Sequence, residues 1–325
     1  MVDILTLQAS IHGEVARLTR NEAASLTPGA ATGLYLAVAA AVCSYHKTRI
    51  EELDHAAIRR SRVVVLASSQ NPYTVSARQV GIELIQVEGG SEVLVATVTG
   101  ETVAVLHALV GQDDGPSTLV ESRAIAHEAG IPLIVDAAVQ IPPVRNLWEI
   151  PSSGADAVIF SGGKALGAPH STGLLVGRAA FIKWIETLGF PRHGFDRMFK
   201  MGRDQLVGFL AALEEVPARD EPAWLATREQ QVRRVVDVFS DHPFCDVSRG
   251  FPNVAGQPVP TRSCDLSRTQ WTPVASPSNS ERVTSSIAVG RIPGYSDQAD
   301  GFTINPLALP RRGRRPRDLR DADSI

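Results

Sequence analysis

Three short stretches of this sequence carry residue types that can do chemistry. The first is "FSGGKALGAPHSTGLLVG" (160–177), centred on Lys164. Only Lys47, Lys164, Lys183 and Lys200 are lysine, against 28 arginines. A high-GC codon preference explains arginine in general, but not a lysine kept in a segment with no other full charge. Glycines at 162 and 163 allow close backbone approach to a ligand and leave space for a long side chain. A lysine desolvated there can lose its proton and attack a carbonyl as a free amine. The plain alternative is a solvated loop lysine. The second stretch is "IPLIVDAAVQIPP" (131–143), an apolar run ending in Asp136. A carboxylate at a buried strand end is costly unless a cation or a hydrogen-bond donor meets it. The alternative is a helix cap or a structural ion pair. The third is "NEAASLTPGAATG" (21–33), where Thr27, Pro28, Gly29 and Ala30 lead into a long apolar run. The free N–H groups of a helix start bind anions, phosphate above all; the alternative is a simple threonine cap.

The elements around them alternate. An all-round apolar helix is expected over Ala30–His46, and such a helix needs cover on every side. Strands are expected at "RVVVLAS" (62–68), Ile82–Glu88, Thr102–Leu109, "IPLIVDAA", "ADAVIFSGG" and "STGLLVGR". A helix over Thr118–Gly130 is stopped by glycine. Buried strands alternating with helices predict an α/β domain with a mostly parallel sheet, in which ligands bind beyond the carboxyl ends of the strands. Further on, a helix is expected over Arg203–Val216, and Val232, Val235, Val236 and Phe239 form an amphipathic face. "VTSSIAVG" (283–290) and "DGFTINPLAL" (300–309) read as strands of a smaller domain. The stretch from Gly250 to Asn279, rich in Pro, Ser and Gly, carries no assignment. The last residues, "RRGRRPRDLRDADSI", read as a disordered, solvated tail. The expected division is therefore 1–205, 206–310 and an Arg-rich tail over 311–325. In this order a phosphate-type helix start, a strand-end aspartate and a glycine-flanked lysine are the set that pyridoxal 5'-phosphate requires. They serve, respectively, the phosphate, the ring nitrogen and the aldehyde.

The bulk properties set bounds. A formal net charge of −3 gives no basic field for nucleic acid or an anionic membrane. The first residues, with Asp3 and Glu14, lack the pattern of a signal peptide. The apolar run from Gly33 to Cys43 is too short to span a bilayer. Cys43, Cys245 and Cys264 have no metal-ligand spacing and fit reduced thiols, so a cytoplasmic protein without a bound metal is expected.

The run from "IPLIVDAAVQIPP" through "GADAVIFSGGKALGAPHSTGLLVGR" resembles the selenocysteine synthase-like group of fold-type I pyridoxal-phosphate enzymes. The likeness is carried by Asp136, Ala137, Ala138, Gln140, Pro142, Pro143, Gly154, Ala155, Asp156 and the Phe160–Lys164 run, then by Leu166, Pro169, Ser171 and Gly173–Leu175. Weaker likeness extends over "TPGAATGLYLAVAA", "QNPYTVSARQVGIELIQV" and "FTINPLAL". The resemblance implies a large cofactor domain plus a smaller α+β C-terminal domain. It implies Lys164 as the Schiff-base lysine and Asp136 as the partner of the pyridine nitrogen. Thr27, Gly29 and Ala30 would line the phosphate cup, with a hydroxyl from Ser161. His170, which stands where the group carries Gln, reads as a ring contact or local acid/base, or as an ordinary loop histidine. The resemblance also implies a homodimer or higher oligomer with the site at the subunit interface, and the cover that the all-round apolar helix after Thr27 needs is expected to come in part from that second copy. The implied activity is elimination or β-replacement on a small amino acid or amino sugar acid. The alternatives are L-seryl-tRNA(Sec) selenium transfer proper, which needs a basic surface, and an impaired paralogue serving as a partner subunit. The sequence departs from the group's pattern at Ser69 and Gln70, where small-molecule relatives carry a His-Arg pair, and at Gly167 and His170, where they carry Arg and Gln. Relatives also begin several dozen residues earlier, whereas this chain begins inside the following helix. These departures bear on how anionic parts of a substrate are held.

Overall fold

Runs of Val, Ile and Leu become strands, and the small-residue run after Gly29 becomes a buried helix. The computed structural model describes residues 2–66, 71–109, 116–216, 218–240, 246–253, 256–265 and 301–304. The elements begin with α1 (Ile4–Leu18), β1 (Ala23–Thr27), α2 (Ala30–His46), α3 (His55–Arg60), β2 (Arg62–Leu66), α4 (Val75–Arg78), β3 (Glu83–Val87) and α5 (Ser91–Thr97). They continue with β4 (Thr102–Ala108), α6 (Pro116–Glu128), β5 (Leu133–Asp136), α7 (Asn146–Ser152), β6 (Ala157–Ser161), β7 (Gly173–Gly177), α8 (Ala179–Leu188) and α9 (Arg203–Glu215). The series closes with α10 (Glu221–Phe239), β8 (Asp246–Gly250), β9 (Thr261–Asp265) and β10 (Gly301–Ile304). The expected strand at 283–290, the tail over 311–325, Ser69, Gln70 and Cys245 lie outside the described residues.

Contacts divide the chain into two units, Met1–Trp224 with Val254–Pro258, and Leu225–Asn253 with Val259–Ile325. In the second unit β8, β9 and β10 form an antiparallel sheet in the order β10-β9-β8. In the first, α9 packs on α1, so the compact body continues past residue 205. Its seven-stranded sheet has the order β1-β7-β6-β5-β4-β2-β3. Strands β2 to β6 pair in parallel, each crossing over through a helix. Strand β7 runs antiparallel to β6 because residues 162–172 return the chain without a helix, and a parallel return needs a crossover. Strand β1 in turn runs antiparallel to β7 and closes that edge. Strand β1 differs from expectation, because "AASLT" leads straight into a helix start and holds one β-branched residue to mark it as a strand. Helix α6 ends as expected, with Gly130 at φ 67 and Ile131 N–H bonded back to the Ala126 carbonyl.

Helix α2 corrects one expectation. Its residues from Leu36 to Cys43 are 0–2% exposed within a single chain. The cover comes from β7, β6 and β4 below and from α8 and α4 alongside. Its all-round apolar surface is therefore satisfied inside the protomer and does not call for a second copy. Cys43 at its end is a free, buried thiol, and burial pushes it up to about 11, which makes it inert.

A second buried titratable group lies at the β1 edge. Asp196 is 2% exposed, takes the Phe190 N–H, and keeps one carboxylate oxygen without a partner among the described residues. It lines a cavity of about 100 Å³ together with Gln8, His12, Leu36, Phe190 and Phe199. Burial pushes its carboxyl up to about 7. A raised folded value means that the native state binds more protons than the unfolded one between about pH 4 and 7. Stability therefore falls as pH rises through that window, by at most about 4 kcal/mol. Asp196→Asn is expected to remove this slope, so that parent and variant diverge in the variant's favour from pH 5 to pH 8 in thermal melts. Parallel pH profiles would show that the buried carboxyl does not titrate as described.

Candidate active site

The strand order gathers the singled-out residues at one end of the strands. Asp136 ends β5, Ser161 ends β6 and Thr27 ends β1, and Gly173 at the start of β7 pairs with both Ser161 and Thr27. All lie at the carboxyl ends of the parallel strands, where an open α/β sheet places its ligands.

Asp136 is 8% exposed. One carboxylate oxygen accepts the Ala138 N–H at 3.1 Å and the other the Asn71 side-chain N–H at 3.3 Å. Its main-chain carbonyl accepts the Leu109 N–H at 2.9 Å, which ties it to the end of β4. Burial raises its carboxyl above the ordinary value, against the pull of Ala138, Asn71 and Lys164. Lys164 sits in the return loop after β6. Its side chain is exposed, yet the surrounding protein disfavours the ammonium and lowers its pKa, and Asp136 opposes this. The surrounding protein thus works against both charges while each charge holds the other. A buried carboxylate coupled to a lysine whose ammonium is disfavoured is the pair a carbonyl-binding amine site needs.

The glycines around Lys164 act differently from expectation. A Cβ at Gly162 would lie 2.2 Å from the Thr172 hydroxyl and 2.8 Å from the Phe209 ring. One at Gly163 would lie 2.5 Å from the His170 carbonyl oxygen. These glycines admit the returning chain, not a ligand, and leave no spare room. The Gly162 N–H donates to Thr172 O and the Ala168 N–H to Gly162 O, so the loop is laced to itself. Gly167 takes φ 74 in the turn that its N–H closes on the Lys164 carbonyl, a backbone state that favours glycine over an arginine. Arg219 donates to the Ala165 carbonyl at 2.8 Å and fixes the residue after the lysine. His170 is exposed, and its backbone packs against Gly163.

Helix α2 starts at Gly29 with φ 93 and no side-chain cap. Thr27 does not cap it, since this hydroxyl is 1% exposed and donates to the Gly29 carbonyl at 2.9 Å. The first-turn N–H groups from Ala30 onward, on a helix of 17 residues, have no side-chain cap, the condition under which a helix start takes anions. Gly173 fixes this turn against the sheet. A Cβ there would come within 2.5 Å of the Gly29 carbonyl carbon and 2.7 Å of the Ala30 nitrogen. Gly173→Ala is accordingly expected to destabilise the protein by about 1–3 kcal/mol and to weaken phosphate binding at the α2 start. Thermal melts with and without inorganic phosphate check this, and an unchanged response to phosphate would separate the turn from anion binding.

The sequence reading missed Asn71 and Arg219 as parts of this site. Asn71 stood in the quoted "NPY" without a role, and nothing local links Arg219 to a loop 54 residues earlier. Among the described residues no group of three or more His, Cys, Asp or Glu is placed to hold a metal, and no helix is long and apolar enough to cross a membrane.

No protein-family model matches the chain. It is 30% identical over 211 residues to a D-glucosaminate-6-phosphate ammonia lyase of Salmonella typhimurium (strain 14028s / SGSC 2262), covering 62% of this chain and 55% of that one. It is 28% identical over 250 residues to a 5'-C-glycyluridine monooxygenase-decarboxylase of a Streptomyces species, covering 72% of this chain and 60% of that one. The chain thus spans under two thirds of the length of either relative. Among solved structures, a D-glucosaminate-6-phosphate ammonia-lyase superposes with TM-score 0.66 at 24% identity, over 82% of this chain and 71% of that one. The sphingosine-1-phosphate lyase of Burkholderia pseudomallei K96243 superposes with TM-score 0.51 at 15% identity, over 81% and 64%. Their shared fold, an α/β large domain around a mostly parallel seven-stranded sheet, is that of the fold-type I pyridoxal 5'-phosphate enzymes.

Proposed function

We propose that the chain is a pyridoxal 5'-phosphate-dependent lyase or transferase of the selenocysteine synthase-like group. Its substrate would be a small amino acid or amino sugar acid, which loses or exchanges a β-substituent. The observation that carries this reading is the opposed pair Asp136 and Lys164, held at the strand ends beside an uncapped helix start. The residues fit the group. The carboxylate has the burial and the donors of a fixed counter-charge, the lysine's ammonium is disfavoured by its surroundings, and nothing stands within 4 Å of where a Gly29 side chain would begin.

In this reading Lys164 carries the cofactor covalently, and the free N–H groups from Ala30 onward, entered through Gly29, take its phosphate. Thr27 shapes that turn from beneath, Ser161 adds a hydroxyl, and His170 stands at the loop rim as the ring contact or local acid/base. Bound there, pyridoxal 5'-phosphate supplies an electron sink for the pair released when a bond at Cα breaks. Asp136 holds a proton at the ring nitrogen. Lys164, released as a neutral amine, takes the proton from Cα and can return it to the departing β-substituent. The cofactor part is the unit Met1–Trp224 with Val254–Pro258, and the smaller part follows it, in a cytoplasmic homo-oligomer.

The two curated relatives are named for ammonia loss and for oxidative decarboxylation, so the reaction is the point to test. Purified protein reconstituted with the cofactor would be offered a panel of β-substituted amino acids and 2-amino sugar acids, with and without phosphate esters. Cofactor-dependent release of a 2-oxo acid, with ammonia where the amino group is lost, is the expected result. Cofactor uptake without turnover of any member would remove the elimination reading. Turnover only of a charged tRNA would favour selenium transfer.

A further inference from the structure

Asn71 reaches Asp136 across 65 residues of sequence. It follows β2, two strands away from β5 in the sheet. Its amide is oriented by its own turn. The side-chain oxygen accepts the Tyr73 N–H at 2.8 Å, as the cap of the short turn Pro72–Thr74. Its main-chain carbonyl accepts the Thr74 hydroxyl at 2.8 Å and the Thr74 N–H at 3.1 Å. With the oxygen spent on Tyr73, the NH2 must point the other way, and it points at the outer oxygen of Asp136. The turn chemistry thus fixes which end of Asn71 the carboxylate meets.

We propose that Asn71 is a positioning residue, whose amide N–H holds the Asp136 carboxylate in the orientation and charge state that a ring N–H requires. The proposal rests on the cofactor reading above for its purpose, and on the two hydrogen bonds for its geometry. Burial works against the charge on Asp136, and two side chains oppose that, Asn71 through a hydrogen bond and Lys164 through its charge. The Ala138 N–H is the main-chain contribution. From the neighbouring β4, His107 is paired with Val135, and its ring is within 3.1 Å of the Ser122 hydroxyl on α6. Asn71 occupies the oxygen opposite the one taken by Ala138, so it also fixes the rotation of the carboxyl group. Each oxygen keeps a lone pair for a further donor.

Two variants separate donation from capping. Asn71→Ser keeps an oxygen for the Tyr73 N–H and removes the donor to Asp136. Asn71→Asp keeps the cap and places an oxygen where the N–H was. The Asp136 carboxyl would be followed by NMR of aspartate-labelled protein, assigned by its loss in Asp136→Asn, with and without bound cofactor. Both variants are expected to fold and to melt like the parent at low pH, and below it at pH values where Asp136 is charged. In both the Asp136 titration moves to higher pH, further in Asn71→Asp, where a second carboxylate faces it. With the cofactor loaded, kcat falls roughly 10–100-fold, the range typical of losing a group that orients a ligand, with little change in KM, and the acid limb of the pH profile follows the Asp136 titration. An Asp136 titration that stays at the parent position in Asn71→Ser overturns the proposal, whatever the cofactor does. A titration that moves in a protein taking up no pyridoxal phosphate supports the hydrogen-bond latch and removes the cofactor reading.

Discussion

Lys164→Arg is expected to leave a folded protein that turns over its substrate roughly 10³-fold more slowly or worse, since one side chain supplies both the covalent amine and the proton carrier. Guanidinium stays protonated at any pH a protein survives, so it can neither condense with an aldehyde nor accept the Cα proton. The variant tolerates arginine because position 164 is itself exposed. The neighbouring glycines contribute nothing to that, since Gly162 and Gly163 are filled by Thr172, Phe209 and the His170 backbone. Phosphate and ring contacts remain, so weak, reversible cofactor binding is expected. The decisive readout is chemical. Borohydride reduction of the reconstituted parent should fix pyridoxal phosphate on the peptide containing Lys164, and reduction of the variant should fix none there. An adduct on Lys47, Lys183 or Lys200 of the parent instead would show that the motif was read wrongly.

The fold and its site were legible to different depths. Helix α2 could be bounded because Gly29 and a long run of small apolar residues are local signals. Asp136 could be placed because a β-branched run ends in the one residue that such a run disfavours. Lys164 stood out because arginine replaces lysine almost everywhere else. What could not be read depends on pairs distant in sequence. Gly173 is glycine because Gly29 and Ala30 press on it from the start of α2. Gly162 and Gly163 looked like ligand-facing glycines because what fills them, the Phe209 ring of α9 and the chain returning through His170 and Thr172, is brought there by a loop whose direction no periodicity reveals. The same unread reversal puts β7 between β6 and β1, and through it the lysine loop and the turn into α2 become neighbours. The cover of α2 was misjudged for a similar reason. Apolarity on all sides says that a helix is buried, but not whether its own chain buries it.

Asp136→Asn is expected to keep the fold and lose turnover by roughly 10²–10³-fold, the loss typical of removing one preorganised electrostatic contact. An amide carries no charge to hold the ring nitrogen protonated, so the electron sink weakens while the phosphate and lysine contacts stay. Stability offers an independent check with a definite sign. Burial raises the Asp136 carboxyl above its ordinary value of 3.8. Between that value and the folded one the native state binds more protons than the unfolded state, so the parent loses stability as pH rises through that range. The variant lacks this titration. The two start close together at low pH, where the protonated carboxyl, like the amide, is neutral and offers one carbonyl oxygen to the N–H groups of Ala138 and Asn71. The variant should then gain on the parent as pH rises, since only the parent is left with a buried charge. Removing that charge also takes away what sustains the Lys164 ammonium, so Lys164 should release its proton at a lower pH in the variant. A variant that turns over at the parent rate would mean that another group holds the ring nitrogen. A variant whose stability runs parallel to the parent at every pH would mean that Asp136 is not the buried carboxylate described here.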